Sequence, residues 1–247
     1  MSDLDDALLQ AAEAGDLAAV QTALQKGADV DARDAGFGRT ALMTASMRSR
    51  IPVMQALLTA GAQINLQATL GETALILAAS GRGGESIKLL LANGADPNIA
   101  DRDQKTPLMW MVDTQFHQGV DTSESIKPLV QAGAKINARD EHGQTVLMWA
   151  VKGLNSFDVR PTVLAKLVEN GADVNAIDPR GETAMFGLVR YIDDQLELDN
   201  GPRCIKVLVD AGADRNAVNN EGRTPLAVVN RNNPLVIEML KELGFTE

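Results

Sequence analysis

The sequence predicts an all-α repeat solenoid, and three observations predict it. Gly-Ala pairs recur at Gly27-Ala28, Gly61-Ala62, Gly94-Ala95, Gly133-Ala134, Gly171-Ala172 and Gly212-Ala213. A Gly-x-Thr recurs at Gly38–Thr40, Gly71–Thr73, Gly143–Thr145, Gly181–Thr183 and Gly222–Thr224, with Gln104 in the glycine's place before Thr106. The distance from each Gly-Ala glycine to the next opening threonine is 12 residues, except for 13 between Gly27 and Thr40. Such self-similarity marks stacked units, none of which buries its apolar face alone.

Each unit has the same internal order. Threonine opens a short helix, as in Thr40-Ala-Leu-Met-Thr-Ala, Thr73-Ala-Leu-Ile-Leu-Ala and Thr145-Val-Leu-Met-Trp-Ala. Threonine is a good N-cap, and Leu42 and Ala45 then share one helical face. A second helix follows, as in Ile87-Lys-Leu-Leu-Leu91, and stops at the Gly-Ala glycine, the residue a helix end favours. Pro161, Pro202 and Pro234 each stand ten residues before a closing glycine (Gly171, Gly212, Gly244), where a helix's first turn tolerates proline.

These residues resemble the ankyrin repeat. Gly94-Ala-Asp-Pro-Asn-Ile-Ala-Asp101 and Gly171-Ala-Asp-Val-Asn-Ala-Ile-Asp178 are similar to that family's finger segment, and Thr106-Pro-Leu108 and Thr224-Pro-Leu226 to its helix opening. The resemblance covers nearly the whole chain and implies about seven helix–turn–helix units with protruding β-turn fingers, stacked in an arc. The units fall near residues 1–33 (an acidic N-terminal cap), 34–67, 68–100, 101–139, 140–177, 178–218 and 219–247 (a C-terminal cap), and residues 1–247 are expected to form a single domain. One departure stands out. Where the family usually has histidine after Thr-Pro-Leu, this chain has Met43, Ile76, Met109, Met148, Phe186 and Ala227, so apolar packing is expected to replace a polar contact to the fingers.

Bulk composition limits the function classes. Hydrophobic residues make up 45% but aromatics 3%, so the core is built from aliphatic side chains and methionine. The net charge of −10 disfavours nucleic acid, whose affinity depends on Lys and Arg displacing counterions. Charge is uneven: Met1–Arg33 carries −5, whereas Asp34–Gln67 carries +2, from Arg39, Arg48 and Arg50 against Asp34. One cysteine, Cys204, forms no intrachain disulfide and fits a reducing compartment. The acidic N-terminus lacks the features of a signal peptide, and no apolar run is long enough to span a membrane. A cytoplasmic monomer is expected.

The repeats are not equally spaced internally. From opening Thr to closing Gly is 21 residues in the second and third units, but 27, 26 and 29 in the fourth, fifth and sixth. The extra residues therefore fall between the paired helices, in loops expected near Gln115–Thr122, Leu154–Arg160 and Tyr191–Asn200. Insertions in a repeat array often map to the binding face. These carry Phe116, Phe157 and Tyr191, which either tuck the inserts onto the solenoid or form a ridge facing a partner.

No chemistry-bearing constellation emerges. His117, His142 and Cys204 offer no metal set at recognised spacing and no catalytic triad, so neither a catalytic residue nor a cofactor or metal is expected. Gly81-Arg-Gly-Gly84 lacks the Lys-Ser/Thr of a phosphate loop and reads as a turn. The acidic run Asp193–Asp199 reads as a solvated loop, or as a contact for a basic patch. The expected activity is binding a protein. Candidate contacts are the apolar finger tips Phe37 and Leu70, the two tryptophans Trp110 and Trp149, and the inner-helix residues Met47, Arg48, Asp113, Lys152, Arg190 and Tyr191. A narrower reading is an inhibitor or immunity-type protein whose acidic surface blocks a basic enzyme.

Overall fold

The computed structural model describes residues 2–81, 83–113, 123–152, 161–194, 200–229 and 233–246. Among them are α1 (Asp3–Ala14), α2 (Leu17–Gln25), α3 (Ala41–Met47), α4 (Ile51–Thr59), α5 (Ala74–Ser80), α6 (Gly84–Ala92), α7 (Pro107–Val112), α8 (Ser123–Gln131), α9 (Val146–Val151), α10 (Pro161–Glu169), α11 (Ala184–Asp194), α12 (Gly201–Asp210) and α13 (Pro234–Glu242). A 3-10 turn spans Leu226–Val228, and the described residues contain no strand, only an isolated bridge between Arg33 and Thr40. The fold is all-α, made of paired helices separated by extended fingers.

Local sequence explains both ends of each pair. Thr40 and Thr73 take extended backbone angles and accept the N–H of Met43 and Ile76, three residues on, as N-caps do. At the far end the Gly-Ala glycines have φ between +86° and +93°. There the glycine N–H and the following alanine N–H turn back to the last helical carbonyls, for example Gly94 to Leu91 (3.1 Å) and Ala95 to Leu90 (3.0 Å). Only glycine adopts that left-handed geometry without cost. The residue whose carbonyl takes the alanine bond is also a core anchor: Leu57, Leu90, Leu129, Leu167 and Leu208 are fully buried. Burying one such leucine contributes about 2–3 kcal/mol relative to leaving it exposed.

The chain divides into two compact units. The first comprises Met1–Met111 with Glu124–Lys135. In it α1 packs on α2 and α3, and α3 on α4 and α5. Leu8, Ala11 and Ala12 of α1 are buried, and Ser2 and Asp5 close a capping box at its start. Gly81 and Gly83 lie between α5 and α6, Gly84 opens α6, and these glycines sit against neighbouring atoms. A Cβ at Gly81 would lie 2.4 Å from the carbonyl oxygen of Met47 in the preceding repeat. Arg82 lies outside the described residues.

The second unit comprises Val112–Ser123 with Ile136–Glu247. In it α9 packs on α10 and α11, α10 on α12, and α11 on α12. Two features depart from the sequence reading. Tyr191–Asp194 is not loop: α11 runs for 11 residues against 7 in α5, so half of the eight-residue surplus of the sixth repeat is helix. Ile192 is why the extra turn holds. It is buried, and a Cβ at Gly201 would meet its side chain at 2.7 Å. In the seventh repeat, Thr224-Pro-Leu226 opens only the 3-10 turn, because Val229 is already extended.

Candidate interaction surface

The fingers are rigid because side chains of their own sequence saturate their backbone. Asp34 Oδ1 accepts the N–H groups of Gly36, Phe37 and Gly38 at 2.9, 2.6 and 3.0 Å. Asp101, Asp140, Asp178 and Asn219 repeat this, each accepting the N–H groups two and four residues on. Where the donor is buried, as at Gln144 and Glu182, leaving it unpaired would cost about 1–3 kcal/mol. Ala68 occupies the place in the third repeat and has no side-chain acceptor; there the finger keeps the backbone bond that the others also make, Ala68 N–H to Glu72 O at 2.8 Å.

Neighbouring fingers are joined. Within the first unit, Asn98 donates to Gly133 O (3.0 Å) and accepts from Lys135 N–H (2.8 Å). Within the second, Asn137 bonds Gly171 O and Asp173 N–H in the same way, and Asn175 bonds Gly212 O and Asp214 N–H. These asparagines stand four residues after each Gly-Ala glycine, a regularity visible in the sequence that the motif reading passed over. A second clamp uses the residue just before the finger aspartate, or before Ala68 in the third repeat. Arg33 bridges Gly38 O and Gln67 O, Gln67 bridges Gly71 O and Ala100 O, and Arg139 bridges Gly143 O and Ile177 O.

On this scaffold the two apolar tips protrude. Phe37 is 55% and Leu70 51% exposed. Their carbonyls are spent on the next finger: Phe37 O accepts from Thr69 N–H at 2.8 Å and Leu70 O from Arg102 N–H at 3.0 Å. The Phe37 ring lies 4.7 Å from the guanidinium of Arg39, which is itself ion-paired to buried Glu72 at 3.0 Å. The sequence reading missed three further exposed apolar side chains, all in the second unit: Ile177, Val218 and Leu235. Ile177 and Val218 occupy the place that Arg33, Gln67 and Arg139 use for clamping, 53% and 60% exposed.

The two tryptophans are bonded to the fingers of their own repeats. Trp110 Nε1 donates to Asp101 Oδ2 at 2.7 Å and Trp149 Nε1 to Asp140 Oδ2 at 2.9 Å. Each indole thus fastens an inner helix to the base of its own finger. The polar finger contact expected to be lost with histidine is restored here from the helix's fourth residue. Lysines cover the rings, Lys105 over Trp110 at 4.1 Å and Lys152 over Trp149 at 4.7 Å. Both rings stay half-buried.

The inner-helix candidates separate by environment. Arg48 is exposed and pairs with exposed Glu13 at 3.2 Å, and Met47 is half-buried near Arg39. Asp113, just past the end of α7, does not fit the expectation of an exposed contact: it is 4% exposed. Lys152 is exposed but donates to Gln144 at 3.0 Å. Arg190 forks onto Glu182 at 2.7 and 2.5 Å, and Asn219 adds a third donor to that carboxylate at 3.1 Å. The Arg190 bonds, outweighing burial, hold the Glu182 carboxyl below its usual range. Tyr191 is half-buried on α11. Phe116 and Phe157 lie outside the described residues, as do the insert segments 114–122, 153–160 and 195–199.

Among the described residues no cluster of His, Cys, Asp and Glu could hold a metal ion. Cys204 is fully buried, and desolvation pushes its thiol up to about 12, so it acts as a core side chain. No described helix is long and apolar enough to cross a membrane.

The chain matches the family model described as ankyrin repeats in three copies, over residues 8–101 and 82–178. It is 35% identical over 115 residues to ankyrin repeat, SAM and basic leucine zipper domain-containing protein 1 of Equus caballus, a match covering 44% of this chain and 24% of that protein. It is 38% identical over 104 residues to the B-cell lymphoma 3 protein homolog of Mus musculus, covering 42% and 23%. It is 33% identical over 105 residues to E3 ubiquitin-protein ligase KEG of Arabidopsis thaliana, covering 42% and 6%. The chain therefore spans about a quarter or less of the length of these relatives.

Proposed function

The chain belongs to the ankyrin-repeat family, and from that premise we propose that it is a non-catalytic protein-recognition module. Its contacts come from the finger tips, the exposed inner-helix residues and the long segments between the paired helices of the fourth to sixth repeats. It works as a cytoplasmic monomer, without nucleic acid or cofactor. The observation that carries this reading is the pair Phe37 and Leu70, two large apolar side chains held out at successive tips. A surface of this kind loses little entropy on binding, because its loops are already fastened by their own side chains. The test is affinity capture from the native host with the parent chain and with a Phe37→Ser, Leu70→Ser variant. The variant is expected to lose a protein partner that the parent retains, with melting barely changed. Capture of the same partners by both, or a collapse in melting, overturns the tip assignment.

A second reading is favoured by the charge of −10, half of it in Met1–Arg33. On this reading the chain blocks a basic enzyme by electrostatic attraction. A salt series separates the two, since only charge-driven capture falls steeply with ionic strength.

A further inference from the structure

We propose that the fingertip ridge Phe37–Leu70–Arg102 of the first unit docks an acidic peptide segment that carries apolar side chains. The inference rests on the protein-recognition reading and gives the partner at this ridge its chemistry. Three observations combine. First, the ridge is continuous: Thr69 N–H bonds Phe37 O and Arg102 N–H bonds Leu70 O, so the three tips are tied side by side by their backbones. Second, its apolar part is preorganised. The Phe37 amide is pinned to Asp34, and the ring rests on an Arg39 guanidinium that Glu72 holds in place, yet more than half of the side chain faces water. An aromatic fixed in this way serves as an anchor at low entropic cost.

Third, the exposed charge beside it is mostly positive. The carboxylates of Asp34 and Asp101 are half-buried and bonded to backbone N–H groups and, for Asp101, the Trp110 indole, while buried Glu72 is paired with Arg39. Arg102 is exposed, and its guanidinium has no hydrogen bond or ion pair among the described residues. Arg33 is also exposed and donates to carbonyls, Gly38 O and Gln67 O. Against these two cations stands one exposed tip carboxylate, Asp103. The repeat that bears Phe37 is also the one repeat of net positive charge in the chain, +2 from three arginines against Asp34. An apolar anchor with guanidiniums at its flank complements glutamate or aspartate next to a large apolar residue, and repels a basic segment.

The test uses the full chain and three short fluorescein-labelled peptides read by anisotropy. One carries leucine and phenylalanine among glutamates, one has lysine for every glutamate, and one has serine for the apolar residues. The first is expected to bind saturably, and the other two about tenfold or more weakly. Phe37→Ser with Leu70→Ser is expected to abolish binding, and Arg102→Glu to weaken it about tenfold and invert the preference toward the lysine peptide. Circular dichroism melting of the variants serves as the control for folding. Equal or better binding of the lysine peptide overturns the inference, as do parent-like affinity in the variants and binding of none of the three. The broader reading fails separately, when capture from the native host returns no protein partner at all.

Discussion

Trp149 on α9 donates its indole N–H to Asp140 at 2.9 Å, and Asp140 in turn receives the N–H groups of His142 and Gln144. One carboxylate therefore couples an inner helix to the loop that displays the finger tip. Trp110 and Asp101 repeat the relationship at 2.7 Å in the first unit. At Asp101, burial raises the carboxyl above its ordinary value in spite of the N–H donors.

Trp149→Phe keeps the apolar volume and removes the donor. It leaves an oxygen of the buried Asp140 carboxylate without its side-chain partner and is expected to cost about 1–3 kcal/mol. Urea unfolding of the purified variant measures this, and hydrogen exchange at His142 and Gln144 is expected to quicken more than at α10. Unchanged stability and unchanged exchange would show that the indole merely lies beside the finger.

Glu182 gives a pH prediction. Its folded pKa lies below the ordinary 4.5, chiefly through Arg190, so its stabilising contribution is present above pH 4.5 and fades as pH falls through the lower folded value. Glu182→Gln is expected to lower the melting temperature at neutral pH, with the difference from the parent shrinking in acid. A difference that stays constant between neutral pH and pH 3, a value roughly below the carboxylate range, would refute the linkage.

Two glycines with the same φ of +86° separate backbone strain from packing. At Gly94 a Cβ meets nothing within 4 Å, so Gly94→Ala is expected to cost only the left-handed penalty, about 1–2 kcal/mol. At Gly71 a Cβ would stand 2.8 Å from Arg102 N and 2.9 Å from Asp101 Cα, backbone that cannot swing away. Gly71→Ala is expected to cost more, roughly 3 kcal/mol or above. Equal losses in denaturant unfolding would contradict the tight finger contact.

The inserts supply the last prediction. Trimming the segments between the paired helices of the fourth, fifth and sixth repeats to the 21-residue spacing is expected to leave helicity largely intact and to remove a partner interaction. Loop length costs little closure entropy, so the fold tolerates these segments without needing them. In the sixth repeat the cut belongs after Asp194, because α11 continues to that point. A trimmed chain that captures every partner of the parent would remove the inserts from the binding surface.

The sequence by itself determined the repeat, its register and its capping. These are local matters: a threonine N-cap and a glycine at positive φ act within a few residues of themselves, and their chemistry is legible at fixed spacing. The exposure of Phe37 and Leu70 could be read the same way, since an apolar residue at a turn has no helix face to join. Tertiary structure alone decided what each polar side chain does. Trp110 and Trp149 were legible as aromatic residues at equal places, but their bonds to Asp101 and Asp140 cross nine residues of chain and depend on how helix and finger meet. Arg190 and Glu182 find each other over eight residues, and the clamp of Arg33 reaches Gln67 in the next repeat. The burial of Asp113 and the extra turn of α11 likewise belong to the tertiary structure. Hydrogen bonds and burial are set by distances in space, and a repeat period specifies those distances only where every repeat carries the same residue.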